Sequence, residues 1–311
     1  MKVKLMYNFF YCLLLIVGCI ACAPSKTLRL ETEKIPIDRT FLFRQTTVTE
    51  TEMHTPDGPN ISTQTTTQDL SYLLLRRNSD GSTYWESQLL RYQEDKVENE
   101  LPVHFDSANP SPDDNEVKKA IFAALDSVAF RFILSKEGEI TQFEGLEEIW
   151  ANLEDVLPPT ARPIFKNTMQ QFTDGTFSEI ARNIWAFYPE KPIKKGKIWE
   201  KTAHIKMFNA DKKSTYKLVK ETADYNEISV ESTTTGDPNK PGSLKLGPAE
   251  ILYYLNGTSN GSIRLDKKLG FPSKVYSEDY YTGNMEVKVP TLAASKVPLT
   301  MRIKVTLLRI D

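Results

Sequence analysis

Cysteine is nearly missing from this chain. Its three cysteines, Cys12, Cys19 and Cys22, all lie in the first stretch of the sequence, and the rest has none. That excludes a disulfide-stapled body and any cysteine-based metal or redox centre within it. The body must stand on its own core, and about 270 residues are enough for one large or two modest domains. Histidine is equally scarce. His54, His104 and His204 are far apart, without HxxxH or HExxH spacing, so they are read as turn or strand residues and no metal site is expected. Charge of one sign is lacking too: 39 basic residues face 41 acidic ones. With Lys2 and Lys4 set aside, 37 face 41, a net of −4, and no basic patch points to nucleic acid as a partner.

What is present at the start is an address. Lys2 and Lys4 precede Phe9 to Val17, a run that is nearly all apolar. It falls short of the roughly 20 residues a spanning helix needs, and no later stretch is long and apolar enough. A basic start, a short apolar run and small residues before a break make a secretory signal. Ile16-Val17-Gly18-Cys19 resembles the lipobox of bacterial lipoproteins. A small residue before the cysteine lets the peptidase close on the scissile bond, and the thiol accepts a diacylglyceryl group. Ala21-Cys22 is the second candidate, and an uncleaved anchor or an ordinary cleaved signal are the bland alternatives. Several acyl chains hold a protein stably at a membrane, at about 0.8 kcal/mol per buried methylene. The expected organisation is a signal peptide over 1–18, an anchor cysteine and tether over 19–37, and a body over 38–311. The residues after Cys19 lack an acidic run, which favours a periplasm-facing anchor.

The body reads as strands. Thr46 to Thr49 and Ile61 to Leu75 are rich in β-branched residues, with a turn cluster at His54 to Pro59. Thr83 to Tyr92 returns as a hairpin partner after Asn78-Ser79-Asp80-Gly81. Ser111-Pro112-Asp113-Asp114 is a helix-start signal. Val117, Ile121, Leu125 and Val128 follow at helical spacing. Phe130 to Leu134 and Ile140 to Phe143 form a second hairpin, and Leu146 to Leu153 is helical again. Thr176 with Glu179 is a capping box before an apolar stripe ending at Phe187. Short strands then fill the last third, from Ile198-Trp199 to the clean alternation of Met301, Ile303, Val305 and Leu307. The expected fold is α+β and mainly antiparallel β. It would be a sandwich or open barrel of ten or more strands, with a helical insertion near 112–188.

Chemistry is thin. Gly257-Thr258-Ser259-Asn260-Gly261 matches the G-x-S-x-G serine pattern, but a nucleophile elbow needs a helix after it. Here Ser262 to Leu265 alternates like a strand, and the last histidine lies upstream. The segment is read instead as an Asn-Gly hairpin turn. The acid pairs Asp113-Asp114 and Glu147-Glu148 suit helix first turns. No catalytic residue, metal or cofactor is expected. Asp106-Ser107-Ala108 and Asp126-Ser127-Val128 resemble an O-glycosylation acceptor, with Ser107 the more accessible. Trp85, Trp150, Trp185 and Trp199 suit a ligand-lining face, though large aromatics more often fill cores.

Val103 to Ser107, Phe130 to Ile149, Phe187-Tyr188-Pro189 with Gly196 to Trp199, and Gly261 to Pro272 stand in an order that resembles a family of Bacteroidetes envelope lipoproteins carrying a domain of unknown function. The resemblance spans nearly the whole mature chain and implies envelope location and no particular activity. Together these features point to a lipid-anchored, non-enzymatic binding module for a hydrophobic ligand, a glycan or an envelope protein. The alternatives are a structural or assembly lipoprotein and a hydrolase whose site is assembled from distant residues.

Overall fold

A computed structural model describes residues 32–55, 58–98, 101–126, 128–136, 138–157, 159, 162, 187–189, 193–205, 208–246, 249–290 and 295–311. Cys19, Cys22, Ser127, the 176–186 stripe and Trp185 lie outside them. A 3-10 turn at Thr32–Lys34 leads into β1 (Thr40–Thr55), β2 (Gly58–Arg77), β3 (Thr83–Glu98) and β4 (Leu101–Asp106). Helix α1 (Glu116–Asp126), β5 (Phe130–Leu134), β6 (Ile140–Glu144) and α2 (Leu146–Val156) follow. The last third holds β7 (Ile198–Ile205), β8 (Ala210–Glu221), β9 (Tyr225–Gly236), β10 (Gly242–Leu246), β11 (Ala249–Asp266), β12 (Phe271–Lys288) and β13 (Ser295–Arg309). All thirteen strands join one open sheet in the order β6-β5-β3-β2-β1-β13-β12-β11-β9-β8-β7, with β4 beside β3 and β10 beside β11. The expected mainly antiparallel fold is therefore built as one sheet, not as a sandwich of two. No helix among the described residues is long and apolar enough to cross a membrane.

The sheet is rolled, and its aromatic residues show how. Trp85 on β3 stacks on Phe271 of β12 with ring centroids 5.7 Å apart and planes 8° apart. Four strand spacings separate β3 from β12, about 19 Å in a flat sheet. The gap closes only if the inner face wraps around a core. Phe41 and Phe43 of β1 meet the same Phe271 ring at 4.9 and 5.5 Å. Leu134 of β5 and Trp199 of β7, from opposite ends of the strand order, join this cluster with Phe187 and Tyr188. The cluster gathers the first residues of β1 and β12 and the last of β2, β11 and β13, so it sits at one end of the rolled sheet. Trp85 and Trp199 thus fill the core and do not line an open face.

The helices pack on the β3 side. The helix begins at Glu116, later than the sequence suggested. Asn115 is its cap, its Oδ1 accepting from the amides of Val117 and Lys118 at 2.9 and 3.1 Å. Ser111 and Asp114 instead close a turn on each other, as the Ser111 amide donates to Asp114 Oδ2 at 2.6 Å. Phe122 of α1 stacks on Tyr92 at 4.2 Å, and Lys118 pairs with the buried Glu94 while lying 4.4 Å over the Phe105 ring. Val128, Phe130, Leu153 and Leu157 make a second small core there.

A second difference concerns 257–261. These residues do not turn; they lie in the middle of β11, paired with β9 and β12 on its two sides. Where short strands were expected in the last third, β11 runs unbroken over Ala249–Asp266 and β12 over Phe271–Lys288. The glycines serve close approach. A Cβ on Gly257 would stand 2.5 Å from the Tyr281 ring and 2.6 Å from the Tyr280 carbonyl, and one on Gly261 would stand 2.5 Å from the Tyr276 carbonyl. Glycine inside a strand marks such an approach and lets a sheet bend.

Candidate functional site on the rolled sheet

The side-chain period of two assigns every residue to a face once the core is known. Phe41 and Phe43 point inward, so Gln45, Thr47, Thr49, Thr51 and Met53 do as well. Their partners on β2 are Gln68, Thr66, Gln64, Ser62 and Asn60. On the other side of β1, register brings Leu307, Val305, Ile303, Met301 and Leu299 of β13 opposite those same residues. An apolar stripe therefore runs down the inner face, away from the aromatic core and beside rows of threonine and glutamine. Leu299 and Leu307 are buried, while Met301, Ile303 and Val305 are half-buried. The sequence alternation at 301–307 predicted this stripe.

Beyond β12 the inner face is lined by small polar residues. Ser214, Ser232 and Ser259 stand in one cross-strand row and are all buried, and the Ser232 hydroxyl bonds that of Ser214 at 2.8 Å. Asp279 of β12 continues the row. Lys212 reaches it from β8, Nζ lying 2.7 Å from Asp279 Oδ1. Those strands are three spacings apart, about 14 Å if flat, so the ion pair spans a sharply curled arm. Ser277 and Tyr281 bond the same carboxylate at 3.3 and 3.5 Å. Sequence reasoning missed this pair, because nothing local links residues 212 and 279.

The histidines stay apart. Each sits on the outer face of an exposed strand beside one carboxylate: His54 by Glu52 at 3.2 Å, His104 by Asp95 at 2.7 Å and His204 by Asp211 at 2.8 Å. No cluster of three metal-ligating side chains occurs among the described residues. Ser259 shares its row with Asp279, and no histidine reaches it. Ser107 is half-buried at the end of β4, its Oγ accepting from the Tyr92 amide at 2.8 Å. The neighbouring Asp106 is buried against Arg91, with contacts of 3.0 and 2.5 Å. The Arg91 guanidinium holds the Asp106 carboxyl well below the usual carboxylate range. Burial, and then the adjacent Glu94, pushes the Tyr92 hydroxyl up.

Among curated proteins, none matches this chain. Solved structures give faint likenesses. Lipovitellin aligns over 89% of this chain and 25% of its own at 11% identity and a TM-score of 0.46, so the chain spans about a quarter of that protein's length. The Pseudomonas aeruginosa protein OccK7 aligns over 88% of this chain and 100% of its own at 9% identity and a TM-score of 0.20. A putative outer membrane lipoprotein-sorting protein domain from Vibrio parahaemolyticus aligns over 86% of this chain and 83% of its own at 7% identity and a TM-score of 0.14. Likenesses this slight carry no argument about fold or function. One family profile does match, over residues 87–272, more than half of the chain. That span takes in Val103 to Ser107, Phe130 to Ile149 and Gly261 to Pro272, where the sequence resemblance lay. The chain belongs to this family, a family of unknown function designated DUF6263.

Proposed function

We propose that this protein is a lipid-anchored bacterial envelope protein whose rolled sheet is a non-enzymatic binding module for a hydrophobic or amphiphilic molecule. The single observation behind the binding role is the half-buried stripe of Met301, Ile303 and Val305, which continues the core's inner face with rows of threonine and glutamine on its β1 side and Tyr281, Asp279 and Ser277 on its β12 side. An apolar chain laid along that stripe would leave water, while hydroxyl and amide side chains beside it would meet a polar head. The anchor rests on the basic, apolar and small-residue pattern ending at Cys19, with Cys22 as alternative. It places the body at a membrane, facing the periplasm. Ser107 remains the proposed O-glycan acceptor, and intact mass from the native host checks it.

The test is native mass spectrometry on the body from Pro24 onward, purified gently, before and after solvent extraction. The expected result is extra mass that leaves with solvent and is missing from an Ile303→Asp variant that still folds. A bare wild-type mass, or extra mass retained by Ile303→Asp, would refute the binding role of the stripe.

A further inference from the structure

The outer face of the curled arm carries a trough of about 490 Å³ across β7, β8, β9 and β11. Register places Thr258, Thr233 and Lys213 in one cross-strand row of its floor and Asn260, Glu231, Thr215 and Glu200 in the next. Glu200 and Lys213 close one side as an ion pair of 3.0 Å. Tyr280 of β12 stands directly opposite Thr258 on the same face and is 49% exposed, so its ring is open to a ligand. Among the described residues, the side chains of Glu231, Asn260, Thr215, Thr233 and Thr258 make no hydrogen bond.

We propose that this trough binds a short uncharged oligosaccharide. Its chemistry excludes the other classes. All its lining residues are polar or charged, a poor match for an acyl chain. Lys213 is already neutralised by Glu200, and Glu231 adds an unpaired carboxylate, so an anionic ligand or nucleic acid is repelled. It offers no group of three metal-ligating side chains. What it does offer is a set of free donors and acceptors at strand spacing, about 4.8 Å apart, with an exposed aromatic ring at the side. Sugar hydroxyls pair with such groups, and the apolar face of a sugar ring lies against tyrosine. A trough of this size falls within the range of small-ligand sites and holds about two or three sugar rings. The site is separate from the inner stripe, so it stands or falls independently of the ligand proposed there.

The experiment uses the full-length protein in a polyoxyethylene detergent, which carries no sugar. Maltotriose, cellotriose, chitotriose and mannotriose are each tested by saturation-transfer NMR. Transfer to at least one is expected. Tyr280→Ala and Asn260→Ala should each weaken that sugar by about tenfold or more. Tyr280→Phe, which keeps the ring, should bind like the wild type, and none of these exposed changes should move the melting temperature. Transfer to none of the four sugars overturns the proposal, as does binding that survives both Tyr280→Ala and Asn260→Ala.

Discussion

Replacing Lys212 by Met removes a charge while keeping most of the chain length. The Lys212 side chain is 24% exposed and Asp279 10%, so the carboxylate would be left buried without its cation. Breaking a buried ion pair from one side costs about 3–5 kcal/mol. Lys212 is partly solvated, and Ser277 and Tyr281 still bond Asp279, which lowers the expected cost of Lys212→Met to about 2–3 kcal/mol. If the cost is desolvation of an orphaned carboxylate, removing that carboxylate as well should restore stability. Lys212→Met with Asp279→Leu is therefore expected within about 1 kcal/mol of the wild type. Urea unfolding followed by the fluorescence of the buried Trp85 and Trp199 measures each variant, and an unchanged m-value checks that the same surface unfolds. If Lys212→Met costs less than about 0.5 kcal/mol, or the two changes simply add, the pair does not hold the curled arm and the argument from its span is wrong.

Three further outcomes are expected, two from the fold and one from the sequence pattern at Cys19. Gly257→Val should cost about 2–3 kcal/mol, since its Cβ meets both the Tyr281 ring and the Tyr280 carbonyl; urea unfolding measures it, and a cost below about 0.5 kcal/mol would refute the close approach. The Asp106 carboxyl is held low in the fold by Arg91, so the stability it adds is present above the unfolded value of about 4 and lost as pH falls below it. Melting temperature should therefore drop on acidification in the wild type and change less with pH in Asp106→Asn, and equal slopes would refute the linkage. For the anchor, Cys19→Ala should abolish incorporation of an alkyne fatty acid in the host while Cys22→Ala keeps it; the opposite pattern would assign the lipid to Cys22.

Much of the secondary structure was legible because its causes are local. The β-branched runs and turn residues marked the β1–β2 and β2–β3 hairpins, and alternation at 301–307 marked the inward side of β13, of which Leu307 is buried and Met301, Ile303 and Val305 are half-buried. The misread places are those where a distant partner decides. Asn260-Gly261 carries strong turn chemistry, yet it lies inside β11 because the Tyr281 ring and the Tyr276 carbonyl occupy the space over Gly257 and Gly261. Ser111-Pro112 looked like the helix start, while Asn115, whose side chain reaches two helix amides, is the cap.

The sequence by itself determined the strand-rich body, the lack of disulfides and the period-two faces, because composition and alternation act within a few residues. Only the tertiary structure decided that one sheet rolls until Trp85 meets Phe271, that Lys212 reaches Asp279, and that polar side chains of β8, β9 and β11 line a common trough. These depend on register and curvature summed over many strands, and no local pattern along the chain encodes that sum.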